Sequence, residues 1–131
     1  MAAVPSMRLE LVPVPVADVD RAKAFYVDQV GFHLDHDVQP SATMRVVQLT
    51  PPGSACSIVI GTDLGEISEM QPGTVKGLHL VVADIEATRT ALIERGVAVE
   101  AIIVYPGDIK FASFHDPDGN LWLLQEMPPK L

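Results

Sequence analysis

Val16-Ala-Asp-Val-Asp-Arg-Ala-Lys-Ala-Phe-Tyr26 and Val82-Ala-Asp-Ile-Glu-Ala-Thr-Arg-Thr-Ala-Leu92 carry one pattern twice. Each opens on Val-Ala-Asp after an apolar run that reads as a strand. Each continues with apolar residues at helical spacing: Val19, Ala22, Phe25 and Tyr26 in the first copy, Ile85, Thr88, Ala91 and Leu92 in the second. Asp18 and Asp84 are placed as N-caps, because a carboxylate there accepts from unpaired amides of the first turn. Gly31 and Gly96 are placed to end the two helices in a left-handed conformation. The same offset brings Gly53, in Pro51-Pro52-Gly53, onto Gly119, in Asp116-Pro117-Asp118-Gly119. Agreement over that length marks an internal repeat.

Three β-rich stretches follow each helix. In the first copy they are Phe32–Val38, Met44–Leu49 and Ala55–Ile60; in the second, Val97–Val104, Lys110–His115 and Asn120–Glu126. Asp116-Pro-Asp-Gly119 suits a type I turn joining the last two strands, and Pro106-Gly107 marks another turn. The pattern predicts an α+β fold of two βαβββ modules, forming curled mixed sheets around a cleft. The chain, 1–131, reads as a single domain with modules at 8–61 and 77–127 and a linker at 62–76.

Length fits that reading, since 131 residues support one substantial core. Apolar residues make up 48% but aromatic ones only 5%, so the core rests mainly on Val, Leu, Ile and Ala. A net charge of −8 repels phosphate backbones and anionic bilayers, which argues against nucleic-acid or membrane partners. No apolar run approaches the roughly 20 residues of a membrane span, and the first residues lack the features of a signal peptide. A cytoplasmic protein is expected. The one cysteine, Cys56, allows no internal disulfide and reads as a small buried thiol on a strand.

The duplicated pattern, with its closing Asp116-Pro-Asp-Gly-Asn-Leu-Trp-Leu124, resembles the vicinal oxygen chelate superfamily: glyoxalase I, bleomycin-type resistance proteins, methylmalonyl-CoA epimerase and extradiol dioxygenases. The likeness runs from about Arg8 to Glu126. It implies two four-stranded sheets around a cleft, in which the enzymes hold a divalent metal with His, Glu or Gln from the first and fourth strands of each module. It also implies a homodimer. One such scaffold serves lyases, epimerases, oxygenases and plain binding proteins, so it does not settle the activity.

Carried over by position, the ligands fall on Leu11, on Ser57 or Val59, on Gly77 and on Leu123. None of these side chains holds a divalent ion as those enzymes require. No metal or other cofactor is therefore expected. Glu10, His79 and Glu126 form an alternative set of suitable type. Strand alternation places Glu10 in the row of Val12, Val14 and Val16 under the helix, and Glu126 on the face of Trp122 and Leu124. A bulge at Pro13 would turn Glu10 inward, which keeps a metal-dependent lyase, isomerase or epimerase as the alternative. His33, Asp35, His36 and Asp37 also invite a metal reading. Period two splits them, with His36 beside Phe32, Leu34 and Val38, and His33, Asp35 and Asp37 on the opposite, solvated face. His115 reads as a loop residue.

The expected cleft wall comprises Leu9, Leu11 and Pro13, then Val59, Gly77, His79 and Val81, then Leu121, Leu123 and Gln125. Apolar lining with a few polar points suits an organic ligand. Leu11, Val59, His79, Leu123 and Gln125 are the candidate ligand-binding residues. His79 is also the candidate catalytic residue, as an acid–base or ligand-orienting group. Tyr105 reads as a turn-flanking residue that packs or forms part of a rim. The expected function is metal-free binding of a small apolar or aromatic molecule. The competing readings are acid–base chemistry at His79 and a protein-interaction module, for which no exposed apolar stripe stands out.

Overall fold

A computed structural model describes residues 2–128. The first module runs β1 (Leu11–Pro13), α1 (Val19–Ala24), β2 (His33–Val38), β3 (Arg45–Thr50) and β4 (Ser57–Thr62). The second runs β5 (Lys76–Val81), α2 (Ile85–Glu94), β6 (Ile103–Tyr105), β7 (Ile109–His115) and β8 (Leu121–Glu126). Each builds one four-stranded mixed sheet, ordered β1-β4-β3-β2 and β5-β8-β7-β6. In both, the first strand pairs parallel with the fourth and the others pair antiparallel. The sheets stay open, and together they form the two-module α+β fold that the repeat predicts.

The caps follow from the sequence. Asp18 Oδ1 accepts from Arg21 N at 3.1 Å and Asp84 Oδ1 from Ala87 N at 3.0 Å. The helices close at Gly31 and Gly96, with φ of 86° and 89°, a region that costs other residues energy. From Phe25 to Val30 the first helix widens into a π-helical turn, which the spacing does not reveal.

Both sheets turn one face to a single core. Val47, Leu49, Ile58 and Ile60 of the first sheet belong to the same buried cluster as Ala112, Phe114, Trp122 and Leu124 of the second, together with Val19, Ala22, Ile85 and Leu92 of the helices. Tyr26 joins the modules. Its ring stacks on Phe32 at 5.4 Å and meets Trp122 edge-on at 5.8 Å. Its hydroxyl donates to Asp116 Oδ2 at 2.7 Å and accepts from Trp122 Nε1 at 2.9 Å. Asp116 also accepts from the Asn120 side chain, which donates to Pro15 O at 2.8 Å, so the Asp116–Gly119 turn is tied to the first module. The turn closes through Gly119 N to Asp116 O at 3.0 Å.

Several sequence expectations are corrected here. Of the stretch Val97–Val104 only Ile103 and Val104 are strand, and Val97 and Val99 are buried outside any ladder; Tyr105 ends β6 and flanks the turn that follows. The first strand is short because Pro13 and Pro15 remove ladder donors. Cys56 precedes β4 and is half-buried, not buried on a strand. His115 ends β7 and is not a loop residue. Within the linker Gly65–Glu69 form a 3-10 helix, and its end residues Thr62 and Lys76 belong to β4 and β5. No helix among the described residues is long and apolar enough to cross a membrane.

Candidate functional site

The second sheet's face away from the core carries Phe111, Ser113, Leu123, Gln125 and His79, because β7 and β8 alternate with the buried Ala112, Phe114, Trp122 and Leu124. His79 lies beside Leu123 in the β5–β8 ladder. Before it, Gly77 adopts φ 91° where the register between β5 and β8 shifts. That bulge turns the Gly77 carbonyl toward the ring of His79, whose Nδ1 lies 2.6 Å from the oxygen. A carbonyl only accepts, so Nδ1 carries a proton, and in the neutral imidazole the lone pair is then on Nε2. The neutral ring in this tautomer presents Nε2 as a hydrogen-bond acceptor.

The ring meets Phe111 edge-on at 5.7 Å, and Phe111 meets Tyr105 in the same way at 5.6 Å. With Ile103, Ala101 and Leu123 these rings line a mainly apolar hollow of about 290 Å³. It is open, and His79 is exposed. Phe111 and Ile103 were not singled out from sequence. The signal available was alternation: Phe111 shares the parity of Ser113, opposite to Ala112 and Phe114, so it stands on the other face of β7.

The five candidate ligand-binding residues do not converge within one chain. His79 and Leu123 line this hollow, and Gln125 shares their face but donates to Met127 Sδ at 2.9 Å. Leu11 and Val59 belong to the first sheet, where Leu11 pairs with Ser57 and Pro13 with Val59. Val59 is buried, in a separate hollow with Ile67 and Met70 of the linker. The cleft wall expected from the two sheets is thus not assembled within one chain: its residues line separate hollows, and the linker covers part of the first sheet's face. Val81, expected in the wall, is 71% exposed.

The alternative metal set is also dispersed. Glu126 Oε1 accepts from Ile85 N, the start of α2, at 2.9 Å, and Oε2 lies 3.5 Å from Lys110 Nζ. Its carboxylate caps a helix on the core side, as strand parity requires. Glu10 precedes β1, outside the alternation, and lines a hollow with Gln48 and Ser57 on the first sheet rather than continuing the row of Val12 and Val14. Leu11, Ser57, Val59, Gly77 and Leu123 offer one hydroxyl between them. Among the described residues no three His, Cys, Asp or Glu side chains are grouped to hold a metal ion. These donors do not fit a divalent metal.

The His33–Asp37 cluster differs from its period-two reading. A bulge at Asp35 resets the register, so His33 pairs with Thr50 and His36 with Gln48, while Asp37 pairs with the core-side Val47. His36 joins His33 on the open face, and Asp37 crosses to the helix side. There Asp37 accepts from Lys23 Nζ at 2.7 Å and from Arg45 Nη2 at 3.0 Å. These partners hold its carboxyl below the usual 3.8, at about 2.

A duplicated βαβββ chain with open sheet faces is matched by a family model over residues 8–124, the Glyoxalase/Bleomycin resistance protein/Dioxygenase superfamily. The chain belongs to this superfamily. TnmS3, an antibiotic binding protein from Streptomyces sp. CB03234, is similar to it at 37% identity and a TM-score of 0.83, over 96% of this chain and 100% of that one. A glyoxalase/bleomycin resistance protein from the same organism is 40% identical with a TM-score of 0.75, over 89% and 98% of the two chains. The uncharacterized protein YurT of Bacillus subtilis (strain 168) is 29% identical over 126 residues, 88% of this chain and 95% of YurT.

Proposed function

We propose that this superfamily member binds a small apolar or aromatic molecule, without altering it and without a metal, against the open face of its second sheet. The observation that carries this reading is His79, whose Nδ1 is engaged by the Gly77 carbonyl and whose ring meets Phe111 edge-on, with Tyr105 packed on the same Phe111. An aromatic ligand with one hydroxyl or N–H would place its ring on that surface and donate to Nε2. The similarity to TnmS3 supports a binding role.

The same lone pair would serve a general base in a lyase or isomerase. Binding is favoured because the partner of Nδ1 is a neutral carbonyl. A carboxylate there would stabilise the imidazolium that proton abstraction creates, and a carbonyl does so far less.

We propose also that the protein is a homodimer in the cytoplasm, with the open face covered by a second copy. Ile103, Val104 and Tyr105 form an edge strand exposed by 55%, 58% and 49%, an apolar edge of the kind that proteins cover. The stripe missed in the sequence lies here.

Thermal-shift screening against a panel of aromatic natural products tests the binding reading, since a ligand of the native state raises Tm with concentration. Hits that carry a hydroxyl or N–H, and that lose their shift in His79→Ala, are expected. A panel with no shift would end the reading. Light scattering at micromolar concentration should give twice the monomer mass, and a monomer would remove the dimer.

A further inference from the structure

Resting on the binding reading of the second sheet's hollow, we infer that Glu100 sets its specificity. The ligand is an elongated aromatic molecule with a hydroxyl at one end and a protonated amine at the other.

One row of side chains crosses the open face of the sheet. His79 of β5 pairs with Leu123 of β8, and Leu123 pairs with Ser113 of β7. Beyond Ser113 the row continues outside the ladder, where Glu100 N donates to Ser113 O at 2.8 Å. His79, Leu123, Ser113 and Glu100 all line the same hollow. Neighbouring strands lie about 4.8 Å apart, so three steps separate the two ends of the row by roughly 14 Å, backbone to backbone.

The ends differ in chemistry from the middle. Leu123 is apolar, and the adjoining row places Phe111 opposite Ile103, with Tyr105 against the Phe111 ring at 5.6 Å. At one end the neutral imidazole offers Nε2 as an acceptor. At the other stands a carboxylate, which only accepts and carries a full negative charge. A ligand that bridges the row therefore needs a donor at each end and flat apolar surface between. Charge decides which donor goes where. An ammonium group meets Glu100 in a charge-assisted hydrogen bond, about twice as strong as a neutral one, and the hydroxyl goes to the imidazole.

Glu100 is fixed in place although no ladder holds it. Val99 before it is buried, so Glu100 turns to the open side. Arg89 of α2 donates from Nε to Glu100 O at 2.8 Å and from Nη2 to Val99 O at 3.1 Å. The fork clamps this segment and spends the guanidinium on backbone carbonyls. Among the described residues the Glu100 carboxylate itself has no hydrogen-bond or ion-pair partner. An unpaired carboxylate on the rim of an apolar hollow favours a cation over a neutral molecule of the same shape.

The test compares 6-(aminomethyl)-2-naphthol with 6-(hydroxymethyl)-2-naphthol by calorimetric titration of the full-length protein at pH 7 and low salt. Both offer the same rings and phenolic hydroxyl, and only the first is a cation. The amine is expected to bind roughly fivefold more tightly, the upper worth of an exposed ion pair. That preference should disappear in Glu100→Gln, which keeps the backbone bonds and removes the charge, and should shrink in 0.5 M salt. His79→Ala should weaken both compounds alike. Equal affinities that both fall in His79→Ala would overturn this inference and leave the binding reading standing. So would a preference undiminished in Glu100→Gln. Binding of neither compound, beside an aromatic hit that needs His79, would overturn this inference alone; no hit of any kind would overturn both.

Discussion

The Nδ1 of His79 stands 2.6 Å from the carbonyl oxygen of Gly77, two residues earlier in the same strand. Removing the ring should leave the fold intact, because His79 is exposed and substitutions there usually change stability by less than about 0.5 kcal/mol. His79→Ala should weaken a ligand found by screening roughly 2- to 10-fold, the worth of one hydrogen bond. His79→Phe should do the same while keeping the contact with Phe111. Gly77→Ala faces no steric block, since its Cβ would lie 3.9 Å from His79 Cε1, but φ 91° should cost it about 1–2 kcal/mol. Calorimetric titration and urea unfolding read the two effects. Large destabilisation in His79→Ala with unchanged affinity would make the residue structural.

Tyr26→Phe should destabilise the chain by roughly 1–3 kcal/mol in urea unfolding, because Trp122 Nε1 and Asp116 each lose a buried partner. Burial first, and then the charge of Asp116, push the Tyr26 phenol far above its ordinary value of 10.0. A raised folded-state value contributes stability that is intact below pH 10 and lost as pH climbs beyond it. In an alkaline absorbance titration Tyr26 should therefore ionise only as the chain unfolds. Independent ionisation in folded protein would contradict the buried network.

Asp37 gives the acid limb. Its carboxyl is lowered to about 2 by hydrogen bonds from Arg45 and Lys23, so its contribution is present above the ordinary value near 3.8 and is lost as pH falls toward 2. The pair is at the surface, which limits the effect to about 1 kcal/mol. Asp37→Asn should flatten the stability profile between pH 4 and 2 by that amount. An unchanged profile would show that the ion pairs contribute nothing.

Protein purified without chelator is expected to hold no stoichiometric transition metal, and EDTA should change neither Tm nor ligand binding. Elemental analysis decides this. About one equivalent of zinc, nickel, iron or manganese that disappears in Glu10→Ala or Glu126→Ala would overturn the metal-free reading and make a metal-dependent enzyme the leading one.

The repeat, the caps at Asp18 and Asp84, the left-handed closures at Gly31 and Gly96 and the Asp116–Gly119 turn were legible in the sequence. Each depends on residues a few positions apart, whose backbone preferences are local. Parity also placed Glu126 on the core side, because β8 is regular along its length. Parity failed where the strands are irregular. The bulge at Asp35 exchanged the faces expected for His36 and Asp37, and the short β1 left Glu10 outside the alternation.

The sequence by itself determined two βαβββ modules and a histidine on the open side of β5. Hydrophobic periodicity encodes which residues face a core. It does not encode which core-facing surfaces meet. Only the tertiary structure decided that both modules share one core through Tyr26, Asp116 and Trp122, leaving Val59 in a different hollow from His79 and Leu123. Only there, too, did the Gly77 bulge bring a carbonyl to His79 Nδ1 and choose its tautomer. Contacts of that kind depend on how distant surfaces and irregular strands settle against each other, and no spacing along the chain records them.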